Sequence, residues 1–351
     1  MIENVQYRVL GVMSGTSLDG VDLAICTFTK ANKWAFEIIK SETIKYSNLW
    51  KKTLAELHLE NEEEITKINK DYGRFLGEII SSFLLREKVD FIASHGHTIF
   101  HEPENKYTLQ IGCGKTISKK TKTTTINDFR SLDISLSGQG APLVPIGDLH
   151  LFSDFKYCIN LGGFANISIK EGNNSIKAFD ICPVNIVMNK ISQKLGIEFD
   201  EKGEIAERGK LIPGLLIKFN NLDFYKKDAP KSLGREWVEK FINPLLIEEY
   251  KSEDILHTFC EHIAMQIGVF LKDKSALFTG GGVFNTYLMS RIQHYSTSEI
   301  IIPSKDTINF KEALIFAFLG VLRLRNEVNC LKSVTGAKHD NCGGIIYKYY
   351  H

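Results

Sequence analysis

One pattern occurs twice in this chain, about 150 residues apart: a β-hairpin whose tip carries glycine, followed by a third strand and then α/β structure. In the first copy, strands over Tyr7–Met13 and Val21–Phe28 flank the stretch SGTSLDG, and Trp34–Tyr46 supplies the third strand. In the second, Lys156–Asn160 and Ala165–Lys170 flank the turn Leu161–Phe164, and Ser175–Phe179 follows. A coarse duplication of this kind implies two similar α/β domains facing one another across a cleft. The loop SGQGAPLVP (137–145) has two glycines and two prolines and marks the expected boundary. The domains expected are 1–137, joined by the C-terminal segment from about 325 to 351, and 138–324.

Between the strands the spacing of apolar residues is helical. Ile65, Ile68, Tyr72, Phe75, Leu76, Ile79, Ile80, Phe83 and Leu84 place a helix over Glu62–Glu87. Further helices fit Val184–Leu195, Ile255–Lys272 with Ser252 or Asp254 as N-terminal cap, and Lys311–Leu324. Short strands fit Asp90–Ser94, Tyr107–Ile111, Thr123–Ile126, Ser275–Phe278 and Ile300–Ile302.

With 43 basic and 42 acidic side chains the net charge is +1, which speaks against a nucleic-acid or membrane-surface partner. Seven cysteines, an odd number with no C-x-x-C pair, fit free thiols in a reducing cytoplasm. The N-terminus lacks the layout of a secretion signal, and the longest apolar stretch, Ala313–Leu322, is too short to span a bilayer.

The first tip is longer than a hairpin needs and is full of groups that can hold phosphate. Gly15, Thr16, Ser17, Leu18, Asp19 and Gly20 offer backbone N–H groups with room for close approach, and carboxylates for Mg²⁺, usually through water. Gly162 and Gly163 make a second phosphate-facing turn; Gly280, Gly281 and Gly282 follow a strand and could approach an adenine or ribose. The plain alternatives are ordinary hairpins and a helix opening. Asp180 ends a strand just ahead of a helix, which suits either a general base at a strand's carboxyl end or a helix cap. GCGKT (112–116) is not a P-loop, since position 109 is Leu109 rather than glycine. His95, His97 and His101 invite a zinc reading, but a polar loop is the better fit, and Cys182 reads as a small packed residue.

GVMSGTSLDGVDLA (11–24) resembles the signature of the anhydro-N-acetylmuramic acid kinases. The resemblance continues in order through SHGHT (94–98), QIGCG (110–114), DFR (128–130), GQGAPLVP (138–145), NLGGFANIS (160–168), FDEKGEIAERG (199–209), PKSLGRE (230–236), TGGG (279–282) and KEALIFAFLG (311–320). It implies the two-domain actin-like ATPase fold, shared with hexokinase, actin and the heat-shock chaperones, with a central cleft. It implies use of ATP and Mg²⁺ to open 1,6-anhydro-N-acetylmuramic acid with water and phosphorylate O6, in peptidoglycan recycling. Carried over residue by residue, the loop Gly15–Asp22, including Val21 and Asp22, meets the ATP phosphates, with Asp19 toward Mg²⁺. Asp180 matches the base that activates water, and Thr98, Arg130 and Glu312 match sugar-site residues. The partners implied are the anhydro-amino sugar and ATP, with a homodimer open.

The chain departs from the family pattern in three places. Ile181-Cys182-Pro183-Val184-Asn185 stands where the family usually has Thr-Gly-Pro-Gly-Asn, His97 stands for glutamine, and Cys113 for aspartate. The alternatives carried from these residues are a kinase of another 1,6-anhydro-sugar, such as levoglucosan, and a nucleotide switch without sugar turnover.

Overall fold

The computed structural model describes residues 5–15, 17–172 and 175–350. The chain divides into two units, Met1–Leu151 with Phe310–His351, and Phe152–Asn309. Residues 138–151 and 310–324, assigned from the sequence to the second domain, fall in the first unit.

In the first unit, β1 (Val5–Ser14), β2 (Gly20–Lys30) and β3 (Trp34–Lys45) form an antiparallel meander. β4 (Phe91–Ser94) pairs parallel with β1. A separate hairpin, β5 (His97–Glu102) and β6 (Tyr107–Ile111), follows, and β7 (Thr125–Asn127) then pairs parallel with β4. The strand Ile345–Tyr347 closes the edge against β7. Parallel neighbours need crossovers, which the helices Glu62–Leu84 and Gly114–Thr121 provide.

In the second unit, β8 (Tyr157–Leu161), β9 (Phe164–Gly172) and β10 (Ser175–Pro183) form the antiparallel meander. β11 (Ala276–Thr279) pairs parallel with β8, and β12 (Ile300–Ile301) with β11. By order of appearance, the main-sheet strands of both units therefore lie third, second, first, fourth, fifth. This duplicated order is that of the actin-like ATPase fold.

The apolar patterns explain the cores. In the first unit Val9 to Ser14 are all buried, and the helix Lys305–Leu324 lays the buried run 313–322 along them. The approach is so close that a Cβ on Gly11 would lie 2.0 Å from the carbonyl oxygen of Ala313. Each fully buried leucine, isoleucine or phenylalanine there contributes about 1.5–3 kcal/mol. The helix begins at Lys305 rather than Lys311, and Phe310 interrupts it with φ −115° and ψ 16°. Apolar spacing registers only the buried stretch beyond that break.

The helix Ser252–Gly268 is capped by neither Ser252 nor Asp254. Ser252 is its first residue after Lys251, and Asp254 instead accepts the Lys210 N–H at 2.7 Å. It stops at Gly268 rather than Lys272; a Cβ on Gly268 would meet Tyr295 O at 2.5 Å. No described helix is long and apolar enough to cross a membrane.

Candidate functional site

In each unit the residues singled out from the sequence collect along the carboxyl ends of the strands, where open α/β sheets bind ligands. In the second unit Asn160 at the end of β8 stands opposite Thr279 at the end of β11. The Gly162–Gly163 tip and the Gly280–Gly282 turn therefore leave neighbouring strands on one edge. The end of β10 pairs with the start of β9 and brings Asp180 to the same edge.

The glycines there do separate jobs. Gly280 has φ +85°, and a Cβ on it would lie 2.7 Å from Leu161 O. Gly282 packs against Leu161, whereas Gly281 has no heavy atom within 4 Å of its would-be Cβ. Gly163 is nearly as open, with Ile186 Cβ at 3.9 Å. The carbonyls of the Gly162–Gly163 tip are held from behind, by Val184 N–H to Gly163 O at 2.8 Å and Asn185 N–H to Gly162 O at 3.2 Å.

Asp180 sits at a β-bulge, since register is lost between Asp180 and Cys182. A bulge re-aims a side chain at a sheet edge. The cap reading fails: β10 continues to Pro183, and the next helix, Asn185–Gln193, takes Val184 as its cap. Asp180 Oδ2 instead accepts the Leu233 N–H at 2.8 Å, and its own N–H donates to Lys231 O at 3.0 Å. Oδ1 takes no partner among the described residues. Burial raises the pKa of this half-buried carboxyl above its ordinary value, and the Leu233 bond partly offsets that. Cys182 beside it is fully buried, and burial pushes its thiol pKa up, as suits a packed residue.

In the first unit β1, β4 and β7 end side by side, Val12 opposite Ser94 and Ala93 opposite Ile126. At the β1–β2 tip Ser17 and Asp19 are exposed, and Leu18 holds φ +60°, costly for a side chain of its bulk. Gly20 is required sterically, because a Cβ would lie 2.5 Å from Ile44 O. Thr16 lies outside the described residues. Val21 is fully buried in the core, so only its backbone belongs to the loop. Asp22 accepts a 2.6 Å bond from Thr43 Oγ1; burial, and then the nearby Asp19 charge, raise its pKa against that bond.

Arg130 donates to His95 Nε2 through Nε at 3.1 Å and through a terminal nitrogen at 2.9 Å, and to Gly140 O at 2.6 Å. With Nε2 accepting, His95 carries its proton on Nδ1 and donates to Gly96 O at 2.9 Å. Burial, then the Arg130 charge, hold His95 neutral. Burial lowers the Arg130 pKa to about 10, so it stays cationic at neutral pH. Glu312 is exposed, yet desolvation by surrounding protein raises its pKa; Arg130 opposes that shift and Asp22 adds to it. Thr98, half-buried on β5 opposite Gln110, directly follows His97. His95 and His97 serve different partners, Arg130 and Ser14, rather than one shared centre.

Two features of this edge escape the sequence. Lys311 and Asp148 form a buried ion pair at 2.8 Å beside Glu312. Ser14, Tyr46 and Tyr72 join their hydroxyls beneath the tip. Neither set has a spacing to read, because its members come from distant segments.

A sequence model of the family described as anhydro-N-acetylmuramic acid kinase matches residues 7–349. The anhydro-N-acetylmuramic acid kinase of Francisella tularensis subsp. novicida is 34% identical, over 94% of this chain and 95% of that one. The enzyme of the same name from Legionella pneumophila strain Paris is 32% identical, over 96% and 97%. Among solved structures, component A of the (R)-2-hydroxyglutaryl-CoA dehydratase of Acidaminococcus fermentans aligns at 14% identity and TM-score 0.45, over 89% of this chain and 96% of that one. The match in family and the near full-length identity make this chain a member of the anhydro-N-acetylmuramic acid kinase family.

Proposed function

We propose that this kinase opens 1,6-anhydro-N-acetylmuramic acid with water and transfers the γ-phosphoryl group of ATP to O6, giving N-acetylmuramic acid 6-phosphate and ADP. The observation that carries the chemistry is Asp180, with one oxygen bonded to Leu233 N–H and the other unengaged among the described residues. A carboxylate fixed by one oxygen and made more basic by burial suits a general base. Asp180 takes a proton from water as its oxygen bonds to the anomeric carbon. The bond from that carbon to O6 breaks, and O6 accepts the phosphoryl group.

The glycine turns at 162–163 and 280–282 and the loop Gly15–Asp22 would approach the nucleotide, and Thr98, Arg130 and Glu312 the sugar. Phosphoryl transfer rests mostly on positioning and charge stabilisation, which backbone N–H groups and Arg130 can supply. Mg²⁺ fits the first loop: Asp19 is exposed, and burial and then the Asp19 charge raise the pKa of Asp22, so the two carboxylates repel, which a cation would relieve. Asp19 would hold the ion through water, and the ion would neutralise phosphate charge. None of the seven cysteines forms a disulfide, in keeping with a cytoplasmic place in peptidoglycan recycling. A homodimer belongs to the same reading.

The test is ATP turnover against a panel of 1,6-anhydro-sugars, with product mass recorded. A product of the amino sugar heavier by both phosphate and water is expected. The same gain only with levoglucosan would move the substrate assignment, and no sugar-dependent ADP release would end the kinase reading.

A further inference from the structure

Beneath the β1–β2 tip four polar side chains meet within the first unit. Ser14 Oγ lies 2.5 Å from Tyr46 Oη, Tyr46 Oη 2.5 Å from Tyr72 Oη, and Tyr72 Oη donates to Ser14 Oγ at 3.0 Å. Ser14 Oγ also lies 3.0 Å from His97 Nδ1. Ser14, Tyr72 and His97 are almost wholly buried and Tyr46 nearly so, which makes an unmade bond costly.

These four contacts need four protons. Each of the three hydroxyls supplies one. The fourth can come only from the histidine, as Nδ1–H. The ring then closes in one sense: Tyr72 donates to Ser14, Ser14 to Tyr46, Tyr46 to Tyr72, and His97 donates to the second lone pair of Ser14. A neutral imidazole protonated on Nδ1 has its lone pair on Nε2, and His97 Nε2 takes no partner among the described residues.

We propose that the Ser14–Tyr46–Tyr72 ring locks His97 as the Nδ1–H tautomer, so that Nε2, beside Thr98, is a standing acceptor for a hydroxyl or amide N–H of the bound sugar. The inference rests on the sugar-kinase reading for its ligand but not for its tautomer. Burial lowers the His97 pKa to about 4, which keeps Nε2 unprotonated at neutral pH. Ser14, Tyr46 and Tyr72 are then positioning residues.

The experiment reads the ring nitrogens of His97 by NMR in full-length, sugar-free protein labelled with ¹⁵N-histidine, the signals assigned by their loss in His97→Gln. Protonated Nδ1 with bare Nε2 at pH 7 is expected; the Nε2–H tautomer or an imidazolium would overturn the proposal. Tyr72→Phe removes two of the contacts and leaves spare protons, so mixed tautomers should appear. The KM for the anhydro-sugar should rise by the inverse of the fraction left as Nδ1–H, up to about tenfold, the loss of roughly one hydrogen bond, while the KM for ATP stays put. Tyr46→Phe makes the same test should the first variant fold poorly, and an unchanged tautomer in whichever variant folds refutes the ring's role. His97→Leu should raise the sugar KM similarly, and His97→Gln, whose amide both donates and accepts, should recover most of that loss. Equal sugar KM values in the leucine and glutamine variants would refute the acceptor. Absence of sugar turnover in the unmodified protein would instead count against the kinase reading, and the acceptor role would fall with it, whereas the NMR spectrum would still decide the tautomer.

Discussion

The two units share one strand order and arm it differently. The strand-end edge of the first unit carries charge: Asp19, Asp22 and Arg130, joined by Glu312 of the helix Lys305–Leu324, with His95 and a hydroxyl ring behind them. Those of the second carry glycine, at Gly162–Gly163 and Gly280–Gly282, and a single chosen carboxylate, Asp180. The topology thus supplies a place and not a chemistry. The first unit surrounds its charged side chains with partners, as His95 is for Arg130. The second unit leaves bare backbone at its edge and braces the carbonyls from behind, as Val184 and Asn185 do.

The sharpest way to break this contrast is Asp180→Asn. The amide can still accept from Leu233 but takes no proton. Turnover should fall about 10²–10⁴-fold with no drop in the melting temperature; near-normal turnover would leave the second edge with backbone alone. Asp133 of the first unit offers the opposite case. It is fully buried and accepts from Cys330, Thr335 and Asn341 on one oxygen and from the Gly140 N–H on the other. Asp133→Ala strands those donors and should cost about 3–5 kcal/mol in denaturant unfolding, as broken buried networks do. A loss under 1 kcal/mol would show that the loop 137–145 is held by other means.

Asp19→Ala tests the charged edge itself. Loss of a ligand that holds Mg²⁺ through water should raise the Mg²⁺ needed for half-maximal rate about 10–100-fold, and an unmoved Mg²⁺ titration would remove Asp19 from the site. Gly281→Ala tests the bare edge. The new methyl meets open space, so the melt should not move, while the KM for ATP should rise about tenfold, roughly 1.4 kcal/mol. An unchanged KM would mean that the nucleotide does not approach there.

The smallest effect is in pH. As the proposed base Asp180 would act ionised, and burial raises its folded pKa, so kcat should rise with pH through a value above its ordinary pKa and then level. The same shift means that the folded state holds this proton longer than the unfolded one. Its contribution to stability therefore declines as pH rises from the unfolded to the folded pKa. Asp180→Asn should remove that slope, measured by unfolding at several pH values.

Much of the scaffold was legible because its signals are local. Alternation and glycine tips mark the six meander strands, and apolar spacing marks the helix Glu62–Leu84. Apolar spacing shows the helix Lys305–Leu324 only from Lys311, because Phe310 breaks it where the buried pattern stops. At Asp180 the sequence fits a base and a cap alike, and only the bulge and the Leu233 bond exclude the cap. Val21 belongs to the loop motif by position, and its side chain to the core.

By itself, then, the sequence determined the duplicated α/β plan, the family and the candidate residues at the strand ends. These depend on residue type and short spacing, which local sterics and hydrophobic periodicity write directly into a chain. Tertiary structure alone decided which groups meet. Ser14, Tyr46, Tyr72 and His97 share four protons, and Asp133 receives donors from Gly140, Cys330, Thr335 and Asn341, only because folding brings distant segments within about 3 Å. Hydrogen bonds and burial act over that distance, and separation along the chain carries no trace of it.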